Sequence, residues 1–322
     1  MDLSLWENFT SLKEKLTETE IIMDNQIKVN IPEFNDGIKN LIDGNGKMLR
    51  SALLLLAANL GTKPDIDQQY EKAAASIEII HLASLVHDDV IDESDLRRGK
   101  ETLNFNFGIH NAVYLGDYLF TQYFELLLKY APNFENLKYN VKVMEDLLAG
   151  ELNQSVERYD VNRTENQYFK AIKGKTAELF RISMGEGAIL SGGVQHQIAL
   201  LEKIGLQIGM AFQIRDDLRD FEPDVETSKP TLNDVQSGIY TLPVIHALTT
   251  SYEEELEILL KKDQLNSADL EKVINIIEKS GGIDYARKVL QNFLDEAFSL
   301  LREIPDSSER TELEKVIHQL FS

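Results

Sequence analysis

The 322-residue chain is 43% hydrophobic, enough for a substantial core, and contains no cysteine, which excludes disulfides, thiolate metal sites and a cysteine nucleophile. Its 54 acidic residues against 33 Lys and Arg give a formal charge of -21, which argues against a nucleic-acid partner because phosphate binding needs basic surface. The start, MDLSLWENFT, lacks a signal-peptide pattern and the longest apolar run, Ala52 to Ala58, is too short to span a bilayer, so a cytoplasmic protein with no transmembrane segment is expected.

Seven prolines, 18 glycines and few β-branched alternations predict an all-α chain, and no linker divides it, so one domain over residues 1–322 is expected. The periodicity predicts helices near 3–24, 35–43, 47–60, 67–93, 108–130, 136–158, 164–190 and 196–221. More follow near 238–249, 252–262, 267–280, 282–303 and 307–321, with start signals at Ser267 and Ser307 and a stop at Gly281-Gly282. Turns are expected at 61–64, 98–102 and 222–230. The segment after Tyr252 alternates charge and leucine and is read as packing.

In GNGKMLR, Lys47 and Arg50 stand three apart at an expected helix start, where backbone N–H groups and the helix dipole also favour an anion. The spacing is not that of a P-loop, and two solvated charges are the plainer reading. Farther on, Asp88-Asp89-x-x-Asp92 follows a long apolar helix, with His81 two turns earlier and Arg97, Arg98 and Lys100 just after. Spacing i, i+1, i+4 brings the outer carboxylates one turn apart on one face. Lys175-Thr176 offers a cation and a hydroxyl near a turn. Gln213 precedes a second triad, Asp216-Asp217-x-x-Asp220, which repeats the first 128 positions later (216 minus 88). Bunched carboxylates repel one another unless solvated or neutralised by a hard cation. Two such clusters facing one cavity would hold several Mg²⁺ ions around a diphosphate.

Taken in order, GKMLR, HLASLVHDDVIDESDLRRGKET, LGDYLF, GELNQ, KTAELF, FQIRDDLRDF and GIYTLPVIHAL resemble the motifs of trans-isoprenyl diphosphate synthases (polyprenyl synthetases) over about residues 40–250. The chain is most similar to the long-chain hexa- and heptaprenyl branch. The resemblance implies an all-α isoprenoid synthase fold, an orthogonal helical bundle around a central cavity, usually dimeric. It also implies Mg²⁺-dependent, head-to-tail condensation of isopentenyl diphosphate onto an allylic diphosphate such as farnesyl diphosphate, with three Mg²⁺ per active site. By this resemblance Asp88, Asp92, Asp216 and Asp220 hold the metals, with Asp89 and Asp217 as ligands or support. Arg97, Lys175 and Lys229 contact the allylic diphosphate, while Lys47, Arg50, His81 and Arg98 hold isopentenyl diphosphate. Thr176, Gln213 and backbone carbonyls stabilise the allylic cation, and the departing diphosphate takes the final proton. Three positions depart from the family pattern: Ser51 replaces a usual Pro, Ser228 a usual Gly, and Ile239 a residue that is often Lys.

The growing chain is expected to run along the helix leading to Asp88. Ala83 and Ser84 lie roughly 6–7 Å back by helical rise, and Ile80 and Ile77 roughly 12 and 16 Å back. The two small residues leave the pocket open, whereas in the family bulky aromatics here accompany short products. A product of C30–C40 is therefore expected, with Phe120, Tyr123 and Phe124 as a deeper floor, and the family resemblance implies that it supplies a quinone side chain. The alternatives are a C20 geranylgeranyl diphosphate synthase, or a catalytic subunit active only with a small partner subunit instead of as a homodimer. A class I terpene cyclase fits less well, because its second metal motif usually mixes Asn, Ser or Thr with Glu.

Overall fold

The computed structural model describes residues 2–44, 46–63, 65–97, 99–156, 158–222, 232–262 and 264–321, the side chains of 153–156 excepted. A short 3₁₀ turn, Ser4–Trp6, precedes α1 (Thr10–Gln26), α2 (Pro32–Gly44), α3 (Leu49–Asn59) and α4 (Gln69–Ile91). Next come α5 (Leu103–Phe107), α6 (Ile109–Tyr130), α7 (Phe134–Val156), α8 (Glu165–Ile172), α9 (Glu178–Leu190) and α10 (Gln195–Arg219). The chain closes with α11 (Asn233–Gln236), α12 (Leu242–Ala247), α13 (Glu253–Leu260), α14 (Ser267–Lys279), α15 (Gly282–Leu301) and α16 (Ser308–Phe321). Among the described residues, extended pairing is confined to one antiparallel hairpin, β1 (Leu96–Arg97) with β2 (Lys100–Glu101). Gly99 serves its turn with φ +76°, a conformation that glycine adopts without a Cβ penalty.

Most expected helices are present, and the differences have local causes. The expected 3–24 helix is broken between Trp6 and Thr10; the Trp6 indole N–H donates to the Lys47 carbonyl at 2.7 Å, tying the 3₁₀ turn to the loop before α3. The expected 238–249 helix contracts to α12, because Gly238 has φ +73° and Pro243 belongs in a first helical turn. The expected turn after Arg98 includes the hairpin, after which the Thr102 side chain caps the unforeseen α5. Asn266, not Ser267, caps α14, in a reciprocal box with Asp269. Ser307 does accept from the Arg310 N–H at 3.1 Å, as a cap should. Of the expected 222–230 turn, 223–230 lie outside the described residues.

The chain groups into two compact units, one of residues 1–141, 182–202 and 305–322, the other of 142–181 and 203–304. In the first, α4 packs along α6 and against α1 and α3. Because α3 is apolar all round, it is buried throughout Ala52–Ala58; each fully buried Leu contributes roughly 1.5–3 kcal/mol. In the second, Tyr168, Ala177, Met210, Ile214, Leu218 and Leu242 form a core beneath the C-terminal half of α10. Phe221, Leu232, Tyr240, Val244 and Val273 form another. No helix among the described residues is long and apolar enough to cross a membrane.

Candidate active site

Asp88 and Asp89 occupy the last turn of α4, and Asp92 is its C-cap, donating its N–H to the Asp88 carbonyl at 2.8 Å. The expected one-turn separation of the outer carboxylates therefore holds even though the helix proper ends at Ile91. Asp88 is half-buried, Asp92 exposed and Asp89 buried. Asp89 faces inward to the hairpin, where Arg97 Nε donates to its two oxygens at 2.8 and 3.1 Å. Burial raises the Asp89 carboxyl above the ordinary range and Asp88 and Asp92 add to that, while Arg97 opposes it. A small cleft beside the pair is lined by Gly44, Leu85, Lys100 and Thr102. Arg98 lies outside the described residues.

The basic pair before α3 differs from expectation. The helix begins at Leu49, after Met48 in the left-handed region (φ 50°), so exposed Lys47 belongs to the loop and only Arg50 to the first turn. Ser51 accounts for its departure from Pro: its N–H donates to Glu78 Oε1 at 3.2 Å and its hydroxyl to the Ala74 carbonyl at 2.9 Å. Those bonds fasten α3 to α4 one turn before the half-buried His81. Along α4, Ile77, Ile80 and Ala83 are buried, and half-buried Ser84 donates to the His81 carbonyl. On α6, Tyr123 is fully buried, but Phe124 is 37% exposed, so it cannot serve as a pocket floor. Phe120 instead lies against the His87 ring, 5.4 Å between centroids. His87 also explains the glycine of LGDYLF: a Cβ on Gly116 would lie 2.4 Å from its Nε2.

In the second unit, α8 and α9 are joined by a π turn, Lys173–Ala177, which presents Lys175 and Thr176. Two glycines allow it to be approached. A Cβ on Gly150 of α7 would stand 2.7 Å from Gly174, and one on Gly209 of α10 would stand 2.6 Å from Ala177 Cα. The close α10 contact brings Gln213, one turn beyond Gly209, onto Thr176, whose hydroxyl donates to the Gln213 amide oxygen. The Gln213 amide nitrogen donates to Asp217 Oδ1 at 2.7 Å, and the Tyr168 hydroxyl donates to Asp217 Oδ2 at 2.6 Å. Lys175 Nζ lies 3.5 Å from Glu151 of the GELNQ motif.

Asp216 is exposed near Arg219 (3.3 Å) on α10, whereas Asp217 is buried and raised to about 6 by desolvation, against the pull of its Tyr168 and Gln213 bonds. Asp220, just past the helix, accepts from the N–H groups of Asn233 and Asp234 at 2.7 and 3.0 Å and so caps α11. Asp234 was not anticipated. It is half-buried and pushed up to about 7, first by desolvation and then by Asp217, Asp220 and Asp216. The Asn233-Asp234 pair between the second triad and GIYTLP was the available signal. Lys229 and Ser228 lie outside the described residues.

Both triads thus sit at helix C-termini, where the backbone dipole disfavours an anion and favours a cation. Hard carboxylate oxygens crowded in that setting fit Mg²⁺. Among the described residues no three His, Asp or Glu form a ready cage for one ion. That accords with Mg²⁺ chemistry, in which one or two carboxylates share the ion with water and substrate phosphates.

Comparison with known proteins agrees with this chemistry. The family description Polyprenyl synthetase matches residues 31–277. The all-trans-nonaprenyl-diphosphate synthase (geranyl-diphosphate specific) of Rhodobacter capsulatus is 34% identical over 277 residues, covering 85% of this chain and 84% of that one. Heptaprenyl diphosphate synthase component 2 of Bacillus subtilis is 30% identical, covering 97% and 89%. The crystal structure of geranylgeranyl pyrophosphate synthase from Lactobacillus brevis superposes with a TM-score of 0.93 at 34% identity over 99% of both chains. That likeness gives this chain the all-α isoprenoid synthase fold.

Proposed function

The chain belongs to the polyprenyl synthetase family, and on that premise we propose that it joins isopentenyl diphosphate head-to-tail to an allylic diphosphate, giving an all-trans polyprenyl diphosphate of about C30–C40. One observation carries the reading at the level of this chain's own residues: each triad turns its middle Asp inward to hold a neighbouring polar side chain, Asp89 to Arg97 and Asp217 to Gln213 and Tyr168. Asp88 and Asp92, and Asp216 with Asp220, are the carboxylates proposed to take Mg²⁺, three ions in all. When bound, Mg²⁺ neutralises the charge that grows on the departing diphosphate.

Arg97, held by Asp89, and Lys175, steadied by Glu151, are assigned to the allylic diphosphate, and Lys229 is added from sequence position and charge; Asp234, beside Asp217, Asp220 and Asp216, belongs with the carboxylates of the second triad. Lys47, Arg50, His81 and Arg98 are assigned to isopentenyl diphosphate. Thr176 and Gln213 direct oxygen dipoles at the allylic cation without offering a nucleophile that would trap it. The released diphosphate takes the proton, so no side-chain base is assigned. Ala83 and Ser84 put no bulky ring one turn before Asp88, which supports a product longer than C15. A single catalytic domain acting in the cytoplasm goes with these assignments.

A partner is proposed as well. Val113, Tyr114, Phe124 and Leu128 stand exposed along α6, apolar surface of the kind that interfaces cover. A second copy fits this surface, and the component 2 relative motivates a small-subunit alternative. The test is purified protein with Mg²⁺, farnesyl diphosphate and radiolabelled isopentenyl diphosphate, with and without a candidate small subunit, followed by chromatography of dephosphorylated products. Chains of C30–C40 are expected; a product halting at C20, or none with either preparation, overturns the reading.

A further inference from the structure

We propose that Tyr168 is a positioning residue for the condensation: through Asp217 it fixes which way the Gln213 amide faces, and so which end of the Thr176 hydroxyl dipole meets the allylic cation. The inference rests on the role proposed above for Thr176 and Gln213.

Tyr168 belongs to no motif singled out in the sequence. It is 1% exposed on α8, and its hydroxyl donates to Asp217 Oδ2 at 2.6 Å. The ring is held in turn by Arg163, whose guanidinium carbon lies 5.7 Å from the ring centroid and whose Nη1 donates to the Tyr240 carbonyl at 2.8 Å. Asp217 itself is 6% exposed, and its two oxygens have different partners, Gln213 Nε2 on Oδ1 and Tyr168 on Oδ2.

Polarity follows from that division. A carboxylate only accepts, so the end of the Gln213 amide that meets Asp217 must be the NH₂ group. The amide oxygen is thereby left for Thr176, which must donate its single hydroxyl proton to it. With that proton engaged, what Thr176 offers elsewhere is lone-pair density, the end of the dipole that stabilises a positive charge. If Asp217 Oδ1 swings away from Gln213 Nε2, the Gln213 amide is free to turn over. Thr176 then accepts from NH₂ and aims its proton outward, the wrong sign for a cation. Tyr168 prevents this by anchoring the opposite oxygen of the same carboxylate. Thr176 lies at one end of the chain of bonds and Tyr168 at the other, so Tyr168 acts at a distance from the reacting carbons.

The proposal predicts coupling. Tyr168→Phe keeps the ring and removes the hydroxyl. We expect kcat to fall roughly tenfold, with KM for both diphosphates within about twofold and more allylic alcohol released through capture by water. In a Thr176→Val background the same change should alter kcat by less than about twofold, because the group it acts through is gone. A tenfold loss in both backgrounds, or a loss that appears in KM, overturns the proposal. Should Tyr168→Phe fold poorly, Asp217→Asn replaces the acceptor facing Gln213 or Tyr168 by an amide. It should lower kcat while leaving the Mg²⁺ concentration for half-maximal rate unchanged; a raised requirement would make Asp217 a metal ligand instead. Neutron diffraction on wild-type and Tyr168→Phe crystals reads the geometry without turnover. The Thr176 proton should lie on Gln213 Oε1 in the wild type and turn away in the variant, and an unmoved proton overturns the idea. Wild-type protein that makes no prenyl product overturns the function proposed above and leaves the neutron result to decide the role of Tyr168.

Discussion

Arg97 Nε lies 2.8 Å from Asp89 Oδ1 and 3.1 Å from Oδ2, so the middle carboxylate of the first triad is committed to an arginine. A charge-assisted bond from Nε to a buried carboxylate holds the guanidinium at one end and leaves its Nη groups for another anion. Asp89→Asn should therefore loosen Arg97 and raise KM for the allylic diphosphate by about tenfold, with a smaller change in Mg²⁺ requirement. Asp88→Asn should act the other way, lowering kcat by roughly 10²–10³ and raising the Mg²⁺ needed. Steady-state kinetics across a Mg²⁺ titration separates the two, and identical profiles for both variants would deny Asp89 its separate role.

Ser51 is bonded twice to α4, through Glu78 Oε1 and the Ala74 carbonyl. Restoring the family's usual residue with Ser51→Pro removes both donors and leaves buried Glu78 with one partner fewer. The expected cost is about 1–3 kcal/mol, read as a lower urea midpoint with an unchanged slope. An unchanged midpoint would mean that the contact adds nothing to stability.

Ala83 is fully buried on α4, five positions before Asp88. Ala83→Phe places a ring where the growing chain is proposed to pass. Products should shorten toward C15–C20, at an overpacking cost of about 1–3 kcal/mol. A product ladder identical to that of the wild type would rule out this route for the chain.

Glu186 is fully buried on α9, where the amides of Asn136 and Asn140 donate to its carboxyl. Burial raises it to about 7, with those hydrogen bonds opposing, whereas an unfolded glutamate titrates near ~4.3. Below that lower value both states carry the proton and the fold keeps its full contribution. Between the two values the native state retains a proton that the unfolded chain has released, so stability falls as pH rises through about 7. Glu186→Gln cannot ionise. Its loss of Tm between pH 5 and pH 8 should be smaller than that of the wild type, corresponding to as much as about 3 kcal/mol. Parallel Tm profiles for the two proteins would count against a raised Glu186.

The helical fold was legible because apolar spacing and caps are local, as Ser307 and the break at Gly281 illustrate. What sequence could not supply was the partner of each side chain. Asp89 and Asp217 look like their neighbours in a triad of carboxylates, and only the hairpin and α8 reveal that they face Arg97 and Tyr168. Lys47 lost its helical place because Met48 adopts a left-handed backbone that no composition rule anticipates. Phe124 fits a pocket floor by spacing, yet it falls on the outer side of α6. The Asn233-Asp234 pair at the start of α11 was the sole sequence signal for Asp234, and a faint one; its significance comes from three other carboxylates nearby.

The π turn at Lys173–Ala177 spends an additional residue within what would otherwise be one continuous rod. An i→i+5 turn takes up one more residue than an α turn in about the same rotation, so excising one residue here would close the bulge and leave Glu178 onward nearly in phase with α8. A single-residue deletion in this segment should accordingly leave the packing of α8 and α9 standing while withdrawing Lys175 and Thr176 from the bulge that presents them, so grafts from relatives must carry the stretch intact.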